Sequence, residues 1–191
     1  MVIAISAIIG VPTGIICSII AWWILFRKIT PNIEFSKYIS RKIKNGKSVL
    51  RIKFRNIGRR DIVDVYGNVR LYIEGLNPKH PNLTRLVVLT LNLAGWPILT
   101  VKGKSKISEI TFKDINDFKT DSYPEHIRVK ANDQTLTVED LLFLGSSFKI
   151  LITVFGYDSF SGARKVFLSK NYTMDDIKDG SFVPGTLKAV K

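Results

Sequence analysis

The sequence predicts an all-β domain, a β-sandwich or barrel with one short helix, carried behind a single N-terminal transmembrane helix. Three observations predict this. An uncharged apolar run opens the chain, short alternating runs broken by turn residues fill the rest, and only one later stretch has helix-cap spacing. The chain has 191 residues, 46% of them hydrophobic, which suits one such domain with a real core. The expected division is an anchor at residues 1–27, a β-domain at 28–185 and a short tail at 186–191.

The first element is Val2 to Phe26, VIAISAIIGVPTGIICSIIAWWILF. As a helix this run is about 37 Å long, enough to span a hydrocarbon core of about 30 Å with tilt. Nothing basic precedes it, and bulky Trp22, Trp23 and Phe26 close it, which argues against a cleaved signal peptide. The two tryptophans stand where an aromatic belt meets the interface, and Arg27 and Lys28 follow at once. The positive-inside rule then puts the C-terminal domain in the cytoplasm and the N-terminus outside, so the expected location is the cell membrane. Gly10 and Gly14 form a G-x-x-x-G pair, a spacing that lets helices approach closely.

The formal net charge is +13, so a negative partner is expected. From Arg27 to Arg60 there are twelve Lys or Arg and a single acid, Glu34, giving 12 − 1 = +11. The charge therefore follows directly on the anchor, where each cation near an anionic leaflet contributes about 1 kcal/mol. A nucleic-acid surface would spread its cations along a groove among stacking aromatics. Phe35, Tyr38 and Phe54 fall instead at strand spacing, which argues for core and against nucleic acid.

Ile33–Tyr38 is the first expected strand, and Asn45-Gly46 marks a tight hairpin turn. Val49–Arg55 alternates, with Leu50, Ile52 and Phe54 on one face. Arg51, Lys53 and Arg55 line the other face at intervals of about 7 Å. Asn56–Arg60 is a turn, and Asp61–Glu74 a long strand with Gly67 as its expected bulge or kink. A loop at 75–82 precedes strands at Leu83–Leu93 and Ile98–Lys102, separated by Gly95-Trp96-Pro97. Lys106–Phe112 and His126–Lys130 are further expected strands, with a polar loop at 113–124 between them. Thr137–Leu144 is the expected helix, with Thr137 as cap, Asp140 at the capping-box position and Gly145 as its end. Phe148–Gly156, the most apolar strand, should lie centrally, with Arg164–Lys170 as its hairpin partner.

Several stretches resemble the cytoplasmic domain of inward-rectifier potassium channels. They are Ile33-Glu-Phe-Ser36, Asn45-Gly-Lys-Ser-Val-Leu50, Phe54-Arg-Asn56 and Arg59-Arg-Asp-Ile-Val-Asp64 at one end of the domain. At the other end they are Lys149-Ile-Leu-Ile-Thr-Val-Phe-Gly156, Tyr157-Asp-Ser-Phe-Ser-Gly162 and Lys170-Asn-Tyr-Thr-Met-Asp-Asp-Ile177. The resemblance implies an immunoglobulin-like β-sandwich placed directly after a membrane helix, which assembles and binds anionic lipid head groups. The positions it implies for lipid are Arg27, Lys28, Arg59 and Arg60, while Gly58 stands where many of these channels carry the first arginine of the turn. With the strand cations, the candidate anion-binding set is Arg27, Lys28, Lys37, Arg41, Arg51, Lys53, Arg55, Arg59 and Arg60. The chain has one apolar span and no filter sequence, so it cannot build the channels' pore alone.

No catalytic constellation is visible. The one cysteine, Cys17, lies in the apolar run, and neither His80 nor His126 belongs to a nucleophile or metal motif. No phosphate-binding glycine loop occurs. Asp175, Asp176 and Asp179 lack cation-loop spacing and suit the start of a helical turn after Thr173. The expectation is a binding or regulatory protein, not an enzyme, with no cofactor. It would lie in the bilayer against anionic lipid and either self-associate or bind a membrane-protein partner or small anionic ligand. Two alternatives stand beside it: a ligand-triggered effector whose assembled helices permeabilise the membrane, and an accessory subunit of a channel.

Overall fold

Two five-stranded sheets share one apolar core. The computed structural model describes residues 2–25, 30–44, 47–75, 84–89, 98–103, 107–112, 125–133 and 136–188, and the side chains of its first helix from Gly10 onward. Helix α1 (Val2–Trp23) comes first, and every side chain described in it is exposed. Among the described residues, no helix is long and apolar enough to cross a membrane.

The first sheet contains β1 (Ile33–Phe35), β2 (Ile39–Lys44), β3 (Lys47–Asn56), β7 (Ser108–Phe112) and β10 (Ile177–Asp179). β1 and β2 pair antiparallel with successive stretches of β3. The strand expected at Ile33–Tyr38 therefore ends at Phe35, and β2, which periodicity did not reveal, continues after Ser36–Tyr38. Ser36 explains the break: its amide donates to the Lys53 carbonyl while its hydroxyl reaches the Tyr38 carbonyl, 2.8 Å each. The register Lys44↔Lys47 leaves two residues between β2 and β3, as a tight hairpin requires; the Asn45-Gly46 turn itself lies outside the described residues. β10 joins the other side of β2 in parallel.

The second sheet runs β5 (Thr84–Leu89), β4 (Ile62–Glu74), β8 (Ser147–Asp158), β9 (Arg164–Leu168), with β6 (Ile98–Val101) also on β4. β8 is central, and β9 is its hairpin partner, as the apolar run and the turn at 157–162 predict. The irregularity in β4 lies between Val63 and Tyr66, where Asp64 takes φ +50°, a conformation short polar side chains tolerate. Gly67 instead pairs regularly with Val154, so the expected bulge at Gly67 is corrected. Residues 76–83, 90–97 and 113–124 lie outside the described residues, and with them most of the loop expected at 75–82, both ends of the strand expected at Leu83–Leu93 and the loop expected at 113–124.

Alternation fills the core. Leu50, Ile52 and Phe54 of β3 meet Val69, Leu71 and Ile73 of β4 and Ile150, Ile152 and Val154 of β8 in one cluster. The strand expected at His126–Lys130 is instead a helix, α2 (Glu125–Asn132). Ile127 and Val129 mimic alternation over only two positions, and Val129 is exposed. Glu125 in the first turn and Lys130 in the last suit the helix dipole.

Helix α3 (Val138–Leu142) carries the expected capping box between Thr137 and Asp140 and buries Val138, Leu141 and Leu142. Phe143, not Gly145, is its C-cap. Gly145 is needed for another reason: a β-carbon there would collide with the Glu74 carbonyl and lie 2.6 Å from Ile73 Cγ2. After Thr173 comes the expected helical turn, a 3-10 turn at Met174–Asp176.

Candidate functional site at the helix–domain junction

The turn Asn56–Arg60 lies at the base of α1. Asn56 is fully buried, and its four hydrogen bonds tie together the linker before β1, the turn and β6. Its side-chain oxygen accepts from the amides of Asn32 at 3.1 Å and Gly58 at 2.9 Å. Its side-chain nitrogen donates to the carbonyls of Arg60 at 2.7 Å and Val101 at 3.3 Å. The linker from α1 thus crosses directly over the turn, and a β-carbon on Gly58 would strike the Thr30 carbonyl and the backbone of Pro31 and Asn32. That contact gives a physical reason why no arginine stands at position 58.

Arg60 points inward. Its Nη1 lies 3.3 Å from Asp158 Oδ2, with side chains 9% and 1% exposed. Its Nη2 donates to the Leu25 carbonyl, two residues past the end of α1, at 2.8 Å. The Phe160 ring covers the guanidinium at 4.3 Å. Asp158 Oδ1 accepts from the Phe160 amide at 3.0 Å. Burial pushes the Asp158 carboxyl up, but the Phe160 amide, the Ser161 hydroxyl and Arg60 outweigh it and hold it below the ordinary range. One guanidinium therefore joins α1, the Asn56–Arg60 turn and the β8–β9 hairpin.

The strand cations expected to face anions are engaged within the chain. Arg41 pairs with Asp179 at 2.6 Å and Glu139 at 2.8 Å. The Asp179 hydrogen bond, opposed by burial and helped by both carboxylate charges, raises its pKa. Arg51 lies 3.6 Å from Glu109 and 3.2 Å from the Ser181 hydroxyl. Lys53 donates to the Val183 carbonyl at 3.3 Å and lies over the Phe182 ring. Arg55 pairs with Glu34 at 2.7 Å. Arg41, Arg51 and Lys53 thus tie β10 and the 181–183 segment to β2 and β3, while Arg55 ties β3 to β1.

Lys37 and Arg59 are exposed, Lys37 near the Tyr38 ring at 5.4 Å. Arg27 and Lys28 lie outside the described residues. Gly10 and Gly14 are exposed with open space around them. Of the described members of the candidate set, the structure thus brings Arg59 and Arg60 to the junction, one outward and one inward, and spreads Lys37, Arg41, Arg51, Lys53 and Arg55 over the first sheet and the Lys37 bend.

Sequence reasoning missed Asp158, Phe160 and Glu139. The signal for Asp158 was present, since Asp158-Ser-Phe-Ser161 reads as a side-chain-capped turn; nothing local pairs it with Arg60, 98 residues away. Among the described residues no three His, Cys, Asp or Glu gather as a metal site. No protein-family model and no curated protein matches this chain.

Proposed function

We propose that the chain is a single-pass membrane-anchored binding or regulatory protein, with an immunoglobulin-like β-sandwich held at the cytoplasmic face near anionic lipid. One observation carries this reading. The described side chains of α1 are all exposed, among them Val11 (62%), Ile19 (59%) and Trp22 (60%), while Arg60 fixes the helix end to the domain. A helix apolar on every side needs an apolar surround. The described side chains alone, Gly10 to Leu25, fall short of the ~20 residues a span requires. The helix backbone runs from Val2, 22 residues without a charge or about 33 Å. Exposed Arg59, with Arg27 and Lys28 in the sequence, supplies cations beside the helix end. The channel-like motifs support the sandwich assignment, and the shared core of two sheets is compatible with it.

The test is reconstitution of the full chain into vesicles. Carbonate-resistant association, with phosphatidylglycerol enriched around the protein and enrichment falling with salt, is the expected result. Extraction by carbonate would sink the anchor. Equal preference for neutral and anionic lipid, with no salt dependence, would remove the lipid part.

A second reading, assembly of the helices into a membrane-permeabilising effector, is favoured by one feature. Gly10 and Gly14 leave open space one turn apart on α1, which permits close helix contact. Dye leakage that depends on the full chain and is lost in Gly10→Leu with Gly14→Leu would support it.

A further inference from the structure

The membrane-facing end of the domain carries two exposed apolar side chains that the anchor does not explain. Phe160, at the tip of the β8–β9 hairpin, is 69% exposed, and Ile57, in the Asn56–Arg60 turn, is 45% exposed. Tips of soluble domains are usually polar, and the residues around Phe160 are: Ser159, Ser161 and Gly162. A phenyl ring left in water at such a tip is stabilised by removal of its apolar area into an apolar surround.

Both positions are tied to the end of α1 by short links. The Phe160 ring lies 4.3 Å from the guanidinium that holds the Leu25 carbonyl. The Ser159 amide donates to the Asp61 carbonyl at 3.1 Å, next to Arg60. The Ile57 amide donates to the Asn32 carbonyl of the linker at 2.8 Å. Exposed cations share the same end: Arg59 lies between Ile57 and Arg60 in the turn, and Lys102 precedes Gly103, which packs against the Arg59 carbonyl.

We propose that Ile57, Phe160 and Arg59 form a second membrane contact, in which the two apolar side chains enter the headgroup layer and Arg59 pairs with lipid phosphate. The occupant is a lipid surface because the patch adjoins the end of the apolar helix and combines apolar tips with cations, the composition of an interfacial contact. The contact gives the domain a second point of attachment beside the helix end that Arg60 holds. It rests on the reading of α1 as an anchor.

The test uses the full chain in phosphatidylcholine–phosphatidylglycerol vesicles, with one environment-sensitive thiol label per protein. Native Cys17 reports on the anchor. In a Cys17→Ser background, Ser159→Cys and Ile57→Cys place the label at the patch while leaving Phe160 in place. Ser146→Cys places it at the far end of β8, roughly 35 Å away. The expected result is a blue shift, quenching by headgroup-level nitroxide lipid and loss of iodide quenching at positions 159 and 57, with none of these at 146. If 159 and 57 stay as open to iodide as 146 while the label on Cys17 is quenched by deep nitroxide lipid, the contact is refuted and the anchor stands. If the label on Cys17 meets no lipid quencher, both fall. If 159 and 57 lose iodide quenching without gaining lipid quenching, protein covers the patch, and a second copy replaces lipid as its occupant.

Discussion

Arg60 donates to the carbonyl of Leu25 at 2.8 Å while its other terminal nitrogen lies 3.3 Å from Asp158. The end of the N-terminal helical segment and the central strand β8 are therefore joined through one buried side chain.

Removing either partner leaves a buried charge uncompensated. Arg60→Ala and Asp158→Ala should each lower unfolding stability by about 3–5 kcal/mol. The double variant should cost clearly less than their sum. Denaturant unfolding of the full chain in detergent measures this; additive losses would mean the pair is not coupled.

Asn56→Ala should cost about 3 kcal/mol, because buried backbone groups of the linker, the turn and β6 lose their partner. Asn56→Asp should cost at least as much, since a carboxylate would face the Arg60 and Val101 carbonyls that now accept hydrogen bonds. A thermal melt that hardly moves in either variant would show that the turn holds itself.

Tyr172 is fully buried, and its hydroxyl donates to the Ser36 carbonyl at 2.6 Å. Tyr172→Phe should cost about 1–2 kcal/mol. Burial, with Asp176 nearby, pushes its pKa up. The group favours the folded state fully below the unfolded pKa of about 10, and that stability is lost as pH rises beyond it. The wild-type chain should therefore lose stability above about pH 10, and Tyr172→Phe should lose less over the same range.

At acid pH the sign reverses. Burial raises the carboxyls of Asp140 and Asp176, but hydrogen bonds from Lys130 and Thr137, and from Lys170 and Thr173, outweigh it and hold both low. Asp158 behaves likewise. Carboxyls depressed in the folded state contribute stability that is present above the unfolded pKa, about 3.9, and lost as pH falls through their folded values. Denaturant midpoints should be flat near pH 6 and fall below about pH 4. A flat profile down to pH 2 would contradict these assignments.

Arg59 and Arg60 should separate in mutagenesis. Arg59→Glu should leave the melting curve unchanged and weaken phosphatidylglycerol enrichment around the reconstituted chain by about 2 kcal/mol, one cation lost and one anion gained. Arg60→Glu should unfold the junction, because it faces Asp158. Energy transfer from a protein label to labelled lipid reads the first, and circular dichroism the second.

The β3 alternation, the Thr137–Asp140 capping box and the central place of β8 were legible because each rests on neighbours in sequence. The role of Arg60 was not, because Asp158 approaches it only after β4 and β8 pair. The segments Ile33–Lys44 and His126–Lys130 misled for a related reason. Ser36 breaks one strand pattern through bonds to Lys53 and Tyr38, and two alternating apolar residues are too few to separate a strand from helix α2. Arg51 and Lys53 looked solvent-facing from their period alone, yet their partners Glu109 and the 181–183 segment lie far along the chain.

The parallel pairing of β10 with β2 bears on the order in which the protein is made. Ile177 pairs with Ile39, and Tyr172 bonds to Ser36, so the first sheet is completed only after more than 130 further residues have been made. If α1 is inserted as an anchor, it leaves the ribosome and enters the bilayer long before the domain behind it can close. Contacts so distant in sequence form slowly. The first strands then stay unpartnered on one side until residues 172–179 have been made.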